Sequence, residues 1–194
     1  MSSQGDSQQS QDSMMTVMDE NRREIIYFAF GSNLSTAQML SRCPESVPIG
    51  LGYLQGWGWI INSRGYANIV KMTDNNCAET APTTSADGGV YGLLYLLPPA
   101  DEDRLDKHEG VPWAYGKEHM SMLRVSDDRG KPLENPETVT ALAYVDAQRT
   151  KGDLPRTEYV DRMERGIKEA VEEWGMDADY ADSLRAWLRK GAQP

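Results

Sequence analysis

The stretch Ile25-Ile26-Tyr27-Phe28-Ala29-Phe30-Gly31-Ser32-Asn33-Leu34 decides how the rest of this chain is read. Its apolar first part, Ile25 to Phe30, has the length of a short buried strand. The run stops abruptly at Gly31-Ser32-Asn33. A helix-like segment follows, opening with Ser35-Thr36-Ala37-Gln38, and Ser35 with Gln38 three residues later fits a capping box. A strand end therefore meets a helix start across a glycine, where the backbone can turn tightly or approach a ligand closely. Free N–H groups gather at such a junction. They suit an anionic group or a developing oxyanion.

The bulk properties narrow what such a loop can serve. With 194 residues, 39% of them apolar, the chain can build a substantial core as one domain. A formal charge of −10 and an isoelectric point near 4.7 argue against a nucleic-acid partner, which needs a basic face. No apolar run approaches the ~20 residues of a membrane helix, so no membrane partner is expected either. Cys43 and Cys77 form no Cys-x-x-Cys pair, and His108 and His119 are the only histidines. That inventory argues against a metal, a redox pair or a Ser-His-Asp arrangement, and favours a catalyst built on one carboxylate. With no secretory signal at the N-terminus, reduced thiols and a cytoplasmic location are expected.

Outward from the opening stretch, residues 1–22 are rich in Ser, Gln, Asp and Met and read as a disordered tail ahead of a folded domain over 23–194. Cys43-Pro44 ends the first helix. Gly50 to Ile61, with Trp57 and Trp59 alternating, reads as a half-buried strand, and Ala67 to Lys71 as another. Residues 73–89 form a long polar loop, either mobile or functional. Val90 to Leu97 reads as a central strand. Pro98-Pro99 stops it and starts a helix to about His108, with Gly110 as its cap. Tyr115 to Val125 and Thr138 to Asp146 read as strands around a turn at Asp127-Asp128-Arg129-Gly130. Val160, Met163, Ile167, Val171 and Trp174 form a helical stripe closed by Gly175. A last helix carries Ala181, Leu184 and Trp187 or Leu188 and ends at Gly191. Early strands with late helices make the class α+β.

One segment of this layout carries a second signal. Leu105-Asp106-Lys107-His108-Glu109-Gly110-Val111 leads through Pro112 to Tyr115. Together with Tyr27-Phe28-Ala29-Phe30-Gly31-Ser32-Asn33-Leu34 it resembles the γ-glutamylcyclotransferase family. The first segment is similar to that family's substrate loop and the second to its catalytic Glu-Gly-Val, in the same order and at a similar separation. The resemblance covers about residues 25 to 190, closely in the two motifs and loosely elsewhere. The family's last loop tyrosine is Phe30 here, which removes a hydroxyl and leaves the backbone donors. Against the family pattern, 73–89 looks like an insertion.

The resemblance implies a small mixed β-barrel flanked by helices. It implies intramolecular cyclisation of a γ-glutamyl amino acid to 5-oxoproline, with release of the free amino acid and no cofactor or metal. Glu109 would be the general acid/base. The amides of Gly31, Ser32 and Asn33 would bind the γ-carbonyl oxygen or the α-carboxylate, and Tyr27, Phe28, Ala29 and Phe30 would form a pocket wall. Tyr159 matches a substrate-contacting tyrosine of the family, and Tyr115 and Tyr144 resemble others near the pocket. His108 reads as a surface residue, since neighbours on a helix point apart. The expected partner is a small-molecule γ-glutamyl substrate, and the expected assembly a monomer or homodimer. Two rival readings are removal of γ-glutamyl groups from a glutathione conjugate and a catalytically silent binding protein of the same fold.

Overall fold

The computed structural model describes residues 23–73 and 88–190. The expected tail 1–22, Cys77, Gly191 and all but the ends of the polar segment 73–89 lie outside the described residues.

The expected strands and helices form, with informative differences. The strands are β1 (Ile25–Ala29), β2 (Val47–Gln55), β3 (Trp57–Ile61), β4 (Ala67–Lys71), β5 (Gly89–Leu97), β6 (Gly116–Ser126) and β7 (Pro132–Val145). The helices are α1 (Thr36–Arg42), α2 (Pro99–Glu109), α3 (Thr157–Glu172) and α4 (Ala178–Lys190). Five strands close a barrel in the order β1-β5-β2-β6-β7. Every pairing in it is antiparallel except the closing one, where Tyr27 of β1 meets Leu142 of β7 in parallel. The barrel is therefore mixed and the helices pack outside it, as the resemblance implies.

The segment Gly50–Ile61 differs from expectation. It is two strands, not one, because Gly56 takes φ +77° and turns the chain out of the barrel. β2 stays in the barrel. β3 leaves it and pairs with β4 in a separate two-stranded sheet. Nor is β3 half-buried: Trp59, Ile60 and Ile61 are all inaccessible, because the small sheet is covered on both faces. The capping box is also half-formed. Ser35 Oγ accepts from the Gln38 amide at 3.3 Å, but the Gln38 side chain turns to the loop instead of back to Ser35.

Two features fix the helices over one end of the barrel. Gly110 sits in the left-handed region at φ +67° and ends α2 immediately after Glu109, its amide donating to Lys107. The α3 stripe lands as expected, with Met163 and Ile167 buried and Val160 and Val171 at its margins. Beside it, Gly166 lets α3 touch the loop after β1. A Cβ there would come within 2.8 Å of Leu34 Cβ and 2.9 Å of the Ser35 nitrogen. Close to that contact, Glu169 accepts from Ser35 Oγ at 2.7 Å and from the Thr36 amide at 2.7 Å, a carboxylate on the start of α1.

Candidate active site

The loop after β1 folds as one 3₁₀ turn, Ser32–Leu34, with the Leu34 amide donating to the Gly31 carbonyl at 2.9 Å. Four other elements clamp it. Trp59 of β3 donates its indole N–H to the Phe30 carbonyl at 3.0 Å, and Tyr95 of β5 donates its hydroxyl to the Asn33 carbonyl at 3.0 Å. The Ser32 amide donates to the hydroxyl oxygen of Tyr159 on α3 at 3.2 Å. Ser32 Oγ accepts from Gln38 of α1 and from Arg162 of α3, each at 2.9 Å. Among the described residues, the Gly31 and Asn33 amides carry no hydrogen bond, as the first N–H groups of a turn do. The sequence reading pictures backbone donors throughout this loop. The structure adds a side-chain lattice, and it commits the Ser32 amide to Tyr159.

Asn33 is the centre of that lattice. Its Oδ1 accepts from Gln38 at 2.8 Å and from Arg42 at 3.0 Å. Its Nδ2 donates to the Tyr27 hydroxyl at 3.0 Å and to Glu109 Oε1 at 3.2 Å. These partners leave the amide one orientation, with its NH₂ toward the glutamate. Glu109 is delivered by the last turn of α2, and Arg42 Nη1 stands 3.8 Å from the same carboxylate oxygen.

Burial pushes the Glu109 carboxyl above its ordinary pKa, against the pull of Arg42, the Asn33 bond, Arg162 and Arg64. With 16% of its side chain exposed, the group meets solvent only through the cavity it lines. Tyr27 is raised well above its ordinary value, first by burial and then by the Glu109 charge. Tyr159 is pushed up to about 12 by burial, moderated by bonds from Ala67 and Ser32. Both phenols therefore stay neutral beside the carboxylate.

The cavity measures about 240 Å³. It gathers Tyr27, Phe30, Gly31, Ser32, Asn33, Glu109, Tyr115, Tyr144 and Tyr159. Phe28 and Ala29 do not reach it. Phe28 alternates to the opposite face of β1 from Tyr27 and lies against Gly92, where a Cβ would be 2.5 Å from its ring. Ala29 is wholly enclosed, and its carbonyl lies against the same glycine. The hydroxyl of Tyr115 goes to the Ala67 carbonyl at 2.9 Å and that of Tyr144 to Asp106 at 2.6 Å, so both line the cavity with their hydroxyls already donated. His108 is exposed, yet it stands on the rim, where partial burial and Arg42 lower its pKa.

Sequence reasoning missed Arg42, Arg64, Tyr66 and Arg162, which also line the cavity. Arg162 had a signal: three residues after Tyr159, it shares that residue's helix face. Its guanidinium lies 5.4 Å from the Tyr159 ring. Arg42, Arg64 and Tyr66 had none, since their approach depends on how α1 and the β3–β4 turn fold over the barrel. Among the described residues, no group of His, Cys, Asp and Glu could hold a metal, and no helix is long and apolar enough to cross a membrane. Cys43 is buried, and its thiol is pushed up to about 12 by desolvation and then by Asp101.

Residues 89–184 match the AIG2-like family. Among solved structures, a γ-glutamyl cyclotransferase aligns at TM-score 0.65 and 20% identity over 85% of this chain and 88% of its own. An uncharacterised human protein aligns at TM-score 0.65 and 19% identity over 86% and 89%. A yeast γ-glutamyl cyclotransferase specific to glutathione aligns at TM-score 0.51 and 13% identity over 88% and 97%. At these identities the structural likeness is one of fold. No curated protein matches the sequence significantly.

Proposed function

We propose, from the match of residues 89–184 to the AIG2-like family and the γ-glutamylcyclotransferase fold of the chain, that its cavity cyclises a γ-glutamyl amino acid to 5-oxoproline. The observation that carries this reading is the side-by-side pair of Glu109 and Arg42, 3.8 Å apart at the polar end of the cavity. A carboxylate next to a guanidinium is complementary to an α-amino acid head, ammonium on Glu109 and carboxylate on Arg42.

In the proposed reaction Glu109 takes a proton from the α-ammonium. The freed amine attacks the γ-carbonyl carbon and closes a five-membered ring. The oxygen gains charge and is met by the open Gly31 and Asn33 amides. The bond to the leaving nitrogen then breaks as Glu109 returns the proton to it, and the ring nitrogen gives up its second proton through the same carboxylate to the freed amine, giving neutral lactam 5-oxoproline and an amino acid in its ammonium form. Water is not consumed. Holding the chain folded for ring closure supplies much of the rate, and a small cavity walled by tyrosines suits that task.

Proton transfer is the difficulty. An ordinary Glu and an α-ammonium differ by roughly 3.5 pKa units, about 5 kcal/mol. Burial of Glu109 narrows the gap in the free protein. A substrate carboxylate on Arg42 narrows it further by occupying the cation that lowers the Glu109 pKa most.

The test is a panel of γ-glutamyl amino acids, γ-glutamyl amines, glutathione and glutathione S-conjugates, with 5-oxoproline followed by mass spectrometry. Release of 5-oxoproline from γ-glutamyl amino acids is expected. Turnover of the S-conjugates alone would transfer the reading to conjugate processing, and binding without release to a silent member of the fold.

A further inference from the structure

The pair of Glu109 and Arg42 accounts for the γ-glutamyl head but not for Arg64, which lines the same cavity from another element. This residue sits in the turn between β3 and β4. Its amide donates to Asn62 Oδ1 at 3.1 Å, and its carbonyl accepts from Arg156 Nε at 2.8 Å. Its guanidinium donates through Nη1 to the Ala114 carbonyl at 2.9 Å. The guanidinium carbon lies 4.9 Å from the centroid of the Tyr115 ring and 5.7 Å from that of Tyr66. Two rings and one carbonyl thus hold the group in place. Among the described residues, Nε and Nη2 have no partner, and the residue lines the cavity.

The other two arginines are placed differently. Arg162 uses Nε on Gln38, Nη1 on Glu158 and Nη2 on Ser32. Arg42 belongs to Asn33 and Glu109. The nearby Glu158 carboxylate is taken by Tyr66 and Arg162. Arg64 is therefore a held guanidinium with open donors at a cavity wall and no protein carboxylate against it. Such a fork matches a planar anion, and a carboxylate above all.

We propose that Arg64 anchors the carboxylate of the leaving amino acid, and so selects γ-glutamyl amino acids over γ-glutamyl derivatives of uncharged amines. This rests on the cyclisation reading above and deepens it. In the proposed pose the head group sits on Glu109 and Arg42 and the γ-carbonyl at the loop, and the leaving group lies against Arg64, which shares their cavity. The charge balance agrees. The cavity holds the cations Arg42, Arg64 and Arg162 against the single carboxylate Glu109, within a chain of net charge −10. A substrate with two carboxylates and one ammonium offsets part of that excess.

Two substrates that differ only in the carboxylate test the proposal: γ-glutamylalanine and γ-glutamylethylamide, whose leaving groups are alanine and ethylamine. The wild-type protein should favour γ-glutamylalanine by about 10- to 100-fold in kcat/KM, the worth of one charge-assisted contact. Arg64→Gln should erase most of that preference by raising KM for γ-glutamylalanine at nearly constant kcat, while γ-glutamylethylamide loses at most about a few-fold. Arg64→Lys should recover part of the preference, because it keeps the charge and loses the fork. Equal losses on both substrates, or no wild-type preference, would overturn the proposal and leave Arg64 a support for Tyr115 and its turn. Calorimetric titration of both compounds into Glu109→Gln, with and without Arg64→Gln, separates the two readings. An Arg64-dependent binding preference in a protein that never releases 5-oxoproline would keep the anchor and reject the cyclisation. Absence of that preference would reject the anchor.

Discussion

The two ends of the cavity are built on opposite terms. At the loop end, Ser32 Oγ accepts two donors and the Asn33 amide serves four partners, contributed by β1, α1, α2 and α3. These side chains have little left to rearrange, and the open donors beside them, the Gly31 and Asn33 amides, are fixed in the backbone, which is what a base needs if it is to meet its proton without reorganisation. At the wall built by the β3–β4 turn, Arg64 and Tyr66 ride on a sheet outside the barrel. That turn is moored through the backbone, by the Arg156 amide on the Gly65 carbonyl and the Asp153 amide on the Ile61 carbonyl. Its guanidinium keeps open valences. The end whose side chains are saturated is suited to chemistry, and the held guanidinium with open donors to recognition. Substitutions at the first should cost turnover, and substitutions at the second should cost selectivity.

The sharpest way to break this division is Glu109→Gln. It keeps size and most hydrogen bonding but cannot accept the ammonium proton, and the expected loss is ~10²–10⁴-fold in kcat with substrate affinity changed far less. Near wild-type turnover in a folded variant, judged by circular dichroism, would remove the division altogether. Gly31→Val comes next. A Cβ at this position would lie 2.9 Å from the Tyr159 hydroxyl and 3.3 Å from Ala67 Cβ, so a branched side chain must displace the clamp on the loop. Its turnover should fall by about 10- to 100-fold, in line with misplacement near the reacting groups.

Asn33→Asp sharpens the comparison by pH rather than by rate alone. Burial already raises the Glu109 pKa, and the proton-accepting form is the ionised one. Wild-type kcat/KM should therefore rise with pH through an apparent pKa above that of a free glutamate. An aspartate at 33 replaces a donor facing Glu109 with a like charge. The acid limb should move to higher pH, by about a unit or more. A limb that stays in place would mean that Asn33 does not bear on Glu109. The smallest effect is expected for Ser32→Ala. The hydroxyl holds Gln38 and Arg162 but faces no reacting atom in the proposed pose. A stability loss of ~1 kcal/mol in denaturant unfolding and a few-fold loss of turnover are expected. Abolished turnover in the folded variant would make the hydroxyl essential.

The loop end was legible in the sequence because it is local. A strand, a glycine and a helix cap lie within fourteen residues, and Glu109 is fixed to its place by the helix that Gly110 terminates. β7 begins at Pro132, ahead of the expected Thr138, because its first half is polar and carries no apolar pattern, whereas β1 and β5 were legible for the same reason as the loop, each a short apolar run between breakers. The split of Gly50–Ile61 was not. Gly56 is one more glycine in a Gly-rich run, and only its positive φ sends β3 into another sheet. Phe28 went astray through strand alternation, which turns it to the face opposite Tyr27, and Ala29 shares the face of Tyr27 but is wholly enclosed before the cavity begins. Arg162 carried a signal in its spacing from Tyr159, but Arg42 and Arg64 were invisible because their approach depends on tertiary placement, the one from α1 and the other from a turn more than twenty residues beyond it.

The central claim is that the substrate's own amine, and not water, is the nucleophile. The direct measurement is to incubate the wild-type protein with γ-glutamylalanine in heavy-oxygen water and weigh the products by mass spectrometry. The account predicts 5-oxoproline and alanine in equal amounts, neither carrying solvent oxygen. Free glutamate bearing heavy oxygen in its γ-carboxyl group would mean hydrolysis and would contradict it.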